Sequence, residues 1–518
     1  MIQSLKRKIF FNFKKKLIKN YLRLKKETEF KILPEFERDF VNTKINFDFK
    51  YFKDFQNFYN LDLNLVLKQM FYEKIYHRFR SYFIHSYKKK ILIFLFPIPN
   101  IYKNLINNNF KSLVYLNGVS WYLISIFFFF RSLFKFLMFF IKSLFIKKKD
   151  VNESNSIFFC NITQKFLPIS DEEDSVINWY AKNKNKDYKY FTKLKEPSNC
   201  KISLNFRYEK DIIPKIANYT QLVKLFIKVI KLFVFSFFQL TFFNRWQYVF
   251  LLDEIIYSYI FEVVDKKKIC KEYIFINTQY VFRPIWSYVA EKKESKIKFV
   301  FCSTGILQNY QLDYIDSCDL SLLSWSHYHF WDITQLNIIQ KATKKDFSYE
   351  IENYIPAFDH YSNIEIPNSD ICIFDDPPLN SIHMSLNGIL DENYNYEKCF
   401  SFLEDIKEVL SRSDLVILFK LKRYKRSLSK RYIHKINNLN QKNIIMIDPE
   451  ISPKRLIEKT KLTISFPFST PSLIAKSLKK KSIFYHPNKI RQSIYLNRDI
   501  PVIYGRENLQ KMIKTIFD

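Results

Sequence analysis

Pro467-Phe468-Ser469-Thr470-Pro471-Ser472 sets three hydroxyls between a β-like apolar run, Leu462–Phe468, and a helical pattern beginning at Ser469. Ser and Thr are strong helix N-caps, and Pro471 suits the first helical position. The N–H groups of such a first turn, the positive end of the helix dipole and two nearby hydroxyls form an anion site without a glycine loop. An ordinary capped helix has the same spacing, so its companions matter. Lys420, Lys422 and Arg423 follow the run Asp414–Phe419, Asp448 follows Asn443–Ile447, and His486 closes Lys481–Tyr485. Cations, hydroxyls and an imidazole at neighbouring strand ends suit the phosphates of a nucleoside diphosphate. Ser469, Thr470, Ser472, Lys420, Lys422, Arg423, Asp448 and His486 are therefore the candidate ligand residues.

The elements that must position them follow from periodicity. Apolar runs at Tyr273–Gln279 and Ile297–Gly305, with a helical pattern opening at Pro284 between them, read as a βαβ unit with parallel strands. Residues 306–335 read as an irregular aromatic stretch, residues 180–199 as an exposed excursion, and residues 351–368 as a Pro-containing connector. A second βα series follows: strands near 370–378, 414–422, 443–448, 462–468 and 481–487, with helices near 397–412, 429–441, 452–460 and 469–480. The fold expected is α/β, with two Rossmann-like domains facing a cleft, preceded by a basic, apolar, mainly helical region. Its boundaries are 1–150, 151–355 with an amphipathic helical insertion at 221–243, and 356–518. In open α/β sheets ligands lie at the carboxyl ends of the strands.

Composition excludes several classes. The 518 residues contain four Gly, and neither a GxGxxG nor a Walker A loop occurs. Seven scattered Cys without a CxxC argue against a zinc ribbon or a disulfide scaffold. The net charge of +32 invites a nucleic-acid reading, but residues 1–150 hold 30 Lys+Arg against 10 Asp+Glu. There the charge is interleaved with long Phe/Leu/Ile runs, and no finger spacing or aromatic RNA-binding strand occurs. No nucleic-acid partner is expected.

That pattern fits a membrane face. In residues 113–147 an apolar run to Phe130 continues with Arg131, Lys135 and Lys142. In 221–243 Lys224, Lys228 and Lys231 precede twelve mostly apolar residues, so that cations line one side as they do in interfacial helices on anionic lipid. A buried core helix with snorkelling lysines and a spanning helix are the alternatives. The first 26 residues read as a basic amphipathic helix without the apolar core of a secretory signal. The expected location is cytoplasmic, peripheral on the inner face of the cytoplasmic membrane.

The stretch KLTISFPFSTPSLIAKSLKKKSIFYHP resembles the C-terminal signature of bacterial polysaccharide biosynthesis PFTS motif proteins and, more broadly, of GT-B glycosyltransferases. RPIWSYVAEKKESKIKFVFCST, SWSHYHFWDITQ and the Ser-Val-x-x-Trp run at Ser175–Trp179 resemble central segments of that family, so the likeness covers roughly 155–518. The hydroxyl order here is Ser469-Thr470 rather than Thr-Ser, and Lys476 stands where a GT-B glutamate is expected. The resemblance implies a nucleotide-sugar donor held by residues 356–518, and transfer to a saccharide or lipid-linked acceptor in surface polysaccharide assembly. It implies no cofactor and no metal, in keeping with the lack of a DxD (Asp375-Asp376 comes nearest) and of a His/Cys ligand cluster in the sequence. Inverting transfer needs a general base. Asp313, His327 and Asp359 are the candidates, with Asp316, His329 and His360 beside them. The alternative is a catalytically inactive, membrane-associated scaffold or sugar-binding component.

Overall fold

The computed structural model describes residues 41–73, 91–92, 111–112, 114–145, 153–162, 167–168, 170–171, 173–182, 189–192, 206–208, 212–214, 216, 218–277, 281–303, 320–343, 346–356, 364–378, 396–410, 413–422, 428, 430–439, 442–467, 469–488 and 499–518.

Two parallel sheets organise the chain. The first holds β1 (Ser156–Cys160), β2 (Lys189–Thr192), β3 (Phe206–Tyr208), β4 (Glu272–Asn277), β5 (Lys296–Phe301), β6 (His327–Phe330) and β7 (Ser348–Ile351) in the order β3-β2-β1-β4-β5-β6-β7. The second holds β8 (Ser369–Phe374), β9 (Ile417–Lys420), β10 (Ile444–Ile447), β11 (Thr460–Ser465), β12 (Lys481–His486) and β13 (Val502–Tyr504) in the order β10-β9-β8-β11-β12-β13. Every pairing within them is parallel. Both sheets reverse direction beside their first strand, the doubly wound order that opens a crevice at the carboxyl ends.

The helices, in chain order, are α1 (Lys50–Tyr59), α2 (Leu63–Phe71), α3 (Val114–Leu144), α4 (Val176–Lys182), α5 (Tyr219–Phe243), α6 (Gln247–Phe250), α7 (Leu252–Val263), α8 (Ile285–Lys292), α9 (Ile333–Thr343), α10 (Tyr396–Leu410), α11 (Lys430–Asn437), α12 (Pro453–Glu458), α13 (Thr470–Ser477) and α14 (Arg506–Phe517). Local chemistry sets several ends. Asp62 caps α2 by accepting from the N–H groups of Asn64 and Leu65, and Asn218 caps α5 through Thr220. Pro453 and Pro471 open α12 and α13.

The second sheet is covered on both faces, which explains its near-continuous apolar strands. Cys372, Phe374, Leu418 and Phe484 pack with Leu456 and Ile457 of α12 and Leu473 and Ile474 of α13. The alternate residues Ile371, Ile373, Phe419, Ile464 and Tyr485 pack with α10, α11 and α14. Gly505, between β13 and α14, has φ 78° and ψ 152°, a backbone conformation that side chains with a Cβ strongly disfavour.

The described part of residues 41–145 belongs to the core of the first sheet. Gln69 donates to the Leu322 carbonyl (2.6 Å) and accepts from the Arg283 N–H (3.1 Å), while Phe52 stacks near Tyr248. Helices α3 and α5 pack along each other through Phe129, Phe136, Phe226 and Phe233. The expectation that their cations face outward is only partly met. Lys135 pairs with Asp253 (2.5 Å) and Lys228 with Glu262 (2.6 Å), both acids on α7. The outward face is led by Phe127, Phe130, Phe134, Phe237, Phe238 and Phe242, with Lys224 and Lys231 beside the apolar residues of α5.

Two other readings are corrected. The stretch expected to be irregular contains β6 and the start of α9, because His327-Tyr328-His329-Phe330 alternates with the strand period. The supposed excursion begins within α4, where Tyr180 and Ala181 are buried, and returns as β2, which pairs with β1. Its single turn of polarity hid a four-residue strand whose Tyr190 is fully buried.

Candidate functional site

The parallel register puts Lys420, Phe374, Ser465 and Phe484 in one row across the second sheet, at its carboxyl edge. Lys420 and the Ser469 turn thus share that edge, two strand spacings apart, roughly 10 Å. The strand order reverses between β8 and β11, the position at which open α/β sheets hold their ligands.

On the β11 side, Ser465 ends the strand and a chain of hydroxyls runs inward. Ser469 Oγ lies 2.8 Å from Ser465 Oγ and 2.7 Å from the Phe466 carbonyl oxygen; Ser465 Oγ lies 2.6 Å from Ser472 Oγ. Ser472 is fully buried and also bonds the Ile483 carbonyl at 3.3 Å. Ser469 occupies the N-cap position with extended backbone, yet its side chain makes no cap bond to α13. Its hydroxyl knits the turn to the sheet, and the first-turn N–H groups are left uncapped by it. Thr470 follows at the first helical position, half-buried.

His486 closes β12 beside this turn. It is fully buried, 5.1 Å from the Phe466 ring, with Nδ1 within 3.1 Å of the Asn488 N–H and 2.5 Å of its carbonyl oxygen. Its Nε2 has no hydrogen-bond partner among the described residues. Burial, opposed by the Asn488 carbonyl and aided by Lys398, lowers its pKa, which favours the neutral imidazole.

On the β8 side lies a group that spacing alone did not single out. Asp375 Oδ1 accepts the Lys422 N–H (2.7 Å) and Oδ2 accepts the Tyr432 hydroxyl (2.9 Å). Burial outweighs these two bonds and pushes its pKa up to about 6, with Asp376 adding to the rise. Asp376 receives the Lys422 ammonium at 2.7 Å. The available signal was an Asp-Asp pair at a strand end, which had been weighed only as a failed DxD. Lys420 is buried and donates to the Pro449 carbonyl (2.7 Å). Asp448 is exposed and accepts the Glu450 N–H (2.8 Å) in a local turn. Among the described cations of the set, Lys422 is thus the partly exposed one, at 38%. Arg423, Asp313 and Asp359, with Asp316 and His360, lie outside the described residues.

Asp174 ties the two halves together. It follows β1 and accepts the hydroxyl of Tyr354, which follows β7. Ser452 Oγ (3.4 Å) and Lys454 Nζ (3.8 Å), after β10, reach it from the second sheet. All of these residues lie in or next to loops at carboxyl ends, so the carboxyl edges of the two sheets meet.

His327 and His329 stand elsewhere, on one face of β6 near Trp179 and Tyr180 of α4. The expectation of no His ligand cluster is corrected here: His327, His329 and Glu350 present ligand atoms all within 4.8 Å of one another. Glu350 is remote in sequence, and β6–β7 pairing sets it opposite His329.

Two tandem doubly wound parallel sheets meeting at their carboxyl edges define an α/β protein of the GT-B type. The model of the family described as polysaccharide biosynthesis PFTS motif protein matches residues 229–513, and the chain belongs to that family. The match begins after Ser175–Trp179, which lies outside it. No curated protein matches the sequence. Among solved structures, the chain is similar to the wall teichoic acid polymerase TagF (12% identity, 76% of this chain and 88% of that chain, TM-score 0.40). It is also similar to Anabaena HepE in complex with UDP and glucose (8%, 70% and 89%, TM-score 0.37). A third is the Methanocaldococcus jannaschii UDP-GlcNAc 2-epimerase in complex with UDP-GlcNAc and UDP (12%, 70% and 92%, TM-score 0.33).

Proposed function

We propose that this polysaccharide biosynthesis protein is a glycosyltransferase that moves a sugar from a nucleotide-sugar donor to a saccharide or lipid-linked acceptor at the cytoplasmic membrane face. The observation that carries the reading is the switch-point crevice of the second sheet. There a helix N-terminus whose Ser469 turns its hydroxyl away lies two strands from a partly exposed lysine. The donor diphosphate sits on the first turn of α13, by Thr470, and Lys422 exchanges Asp376 for phosphate. Helix dipole and lysine stabilise the charge that develops on the departing diphosphate. Neutral His486 and Asp375, whose pKa is raised to about 6, line the edge as proton-exchanging groups.

Membrane attachment is part of the same proposal. Helices α3 and α5 are long and apolar enough to cross a membrane by length and composition. Each buries one stripe against the protein and leaves a Phe-rich face outside. Ion pairs from their mid-sections to α7 fix them along the protein body, so the pair lies in the interface with its rings in the acyl region.

The test is a saturation-transfer screen of UDP-, GDP-, CMP- and dTDP-sugars on the purified protein, followed by transfer assays with membrane lipid extracts. One nucleotide is expected to bind, and Lys422→Ala to weaken it about tenfold or more, since a charge-assisted bond contributes about 1.5–3 kcal/mol. Binding of no nucleotide refutes the donor site; binding without transfer or donor hydrolysis establishes the scaffold alternative.

A further inference from the structure

The faces of β6 and β7 bring together more chemistry than sugar transfer uses. His327 and His329 alternate onto one face, opposite Ser348 and Glu350 in register, with Glu352 next along the chain. Their hydrogen bonds fix both tautomers. Ser348 Oγ donates to the Ser326 carbonyl (3.0 Å), so it accepts from His327 Nδ1 at 2.7 Å. The Glu352 carboxylate can only accept, so His329 Nδ1 donates to Oε1 at 2.6 Å. Each ring therefore keeps its lone pair on Nε2, and the ring nitrogens nearest the Glu350 carboxylate are His327 Nε2 (3.2 Å) and His329 Nδ1 (3.9 Å). Both Nε2 atoms are buried without a hydrogen-bond partner among the described residues, and the His329 side chain is 3% exposed. His327 Nε2 lies 3.2 Å from Glu350 Oε1, in contact but without a hydrogen bond's alignment.

We propose that His327, His329 and Glu350 form a divalent transition-metal site of the zinc type. Two imidazoles and one carboxylate are a zinc donor set, and a Nδ1–H held by a carboxylate or hydroxyl is the usual support of a ligating histidine. Bonds of about 2.0–2.2 Å place tetrahedral ligand atoms about 3.4 Å apart, so the cluster, spanning 4.8 Å at most, closes by side-chain rotation. Glu350 is 52% exposed, which leaves an entry path and a fourth position for water. Lys298 Nζ lies 3.9 Å from Glu350 Oε1 and 3.9 Å from Glu272 Oε2, and this cation opposes the metal. The site's role is structural. It clamps the exposed edge strand β7, which leads directly to Tyr354 and its bond to Asp174 where the sheets meet.

The experiment strips the full-length protein with chelator and titrates Zn²⁺ against a chromophoric chelator, with melting followed in parallel. One competed equivalent and a raised melting temperature are expected. Glu352→Gln weakens affinity about ten- to a hundredfold, the usual effect of removing a ligand's support. His327→Gln/Glu350→Gln, two positions with exposed or half-buried side chains, abolishes binding while circular dichroism stays native. Lys298→Met tightens binding. Absence of a competed equivalent in the native-folded wild type, or its survival in the double variant, overturns the proposal; survival identifies zinc held elsewhere in the chain.

Discussion

Replacing Phe127, Phe134 and Phe242 with Ser tests the attachment of the protein to membrane. The three rings are 65%, 65% and 68% exposed, so about two-thirds of each is available to lipid and contributes little to the fold. Full burial of a Phe side chain contributes about 1.5–3 kcal/mol, which scales here to roughly 1–2 kcal/mol per ring and 3–6 kcal/mol for the set. At about 1.4 kcal/mol per decade, the triple variant loses two to four powers of ten in its partition coefficient. The assay is flotation with vesicles of mixed zwitterionic and anionic lipid at two salt concentrations. Salt moves the share due to Lys and Arg, and the substitutions move the apolar share. Melting should shift by no more than a few degrees, because the rings already face outward. The reasoning fails if the wild type remains with the soluble fraction in the presence of vesicles. It fails equally if the triple variant partitions within threefold of wild type.

Three further outcomes are expected. Asp375 has a folded pKa raised to about 6, above the unfolded value, so folding disfavours its charged form. Its contribution is neutral below the unfolded pKa and becomes a penalty as pH rises through about 6, reaching roughly 3 kcal/mol above it. Denaturant titrations from pH 4 to 8 should show this loss in wild type and not in Asp375→Asn; identical slopes in both would refute it. Gly505→Ala should cost about 1–3 kcal/mol, read as a fall in melting temperature. The added Cβ meets only the Pro487 carbonyl oxygen at 3.9 Å, so backbone strain is the whole effect. Asp174→Ala removes the shared acceptor of Tyr354, Ser452 and Lys454, and should speed proteolysis between the two sheets while each sheet keeps its stability. An unchanged cleavage rate would show that the contact does not hold them.

Much of the second sheet was legible because its strands are buried on both faces and its helices start at proline or carry an apolar stripe. Ile371–Phe374 is a continuous apolar run, Leu462–Ser465 alternates Leu and Ile with Thr and Ser, all buried, and Pro453 and Pro471 mark helix starts. The first sheet was harder. β2 and β6 have four residues each, too few for periodicity to separate strand from loop, and polar residues interrupt both. At the candidate site, the carboxyl-edge placement of Lys420, Ser469 and His486 followed from strand ends. The directions of their side chains did not. Ser469 was expected to cap α13 and bonds the sheet instead, and Lys420 is turned onto Pro449.

The sequence by itself determined the α/β class, the parallel pairing of βα units, the scarcity of glycine loops and the two long Phe-rich helices. These depend on local periodicity, capping and composition, which neighbouring residues decide. The tertiary structure alone decided which groups meet. Strand pairing brought Glu350 to His327 and His329, and burial raised the Asp375 carboxyl towards neutrality. Ion pairs tie Lys135 and Lys228 to α7, while aromatic rings stand outside beside them. Contacts between residues far apart in the chain, and the desolvation they impose, have no local signature because each partner's own neighbours are the same whether or not the contact forms.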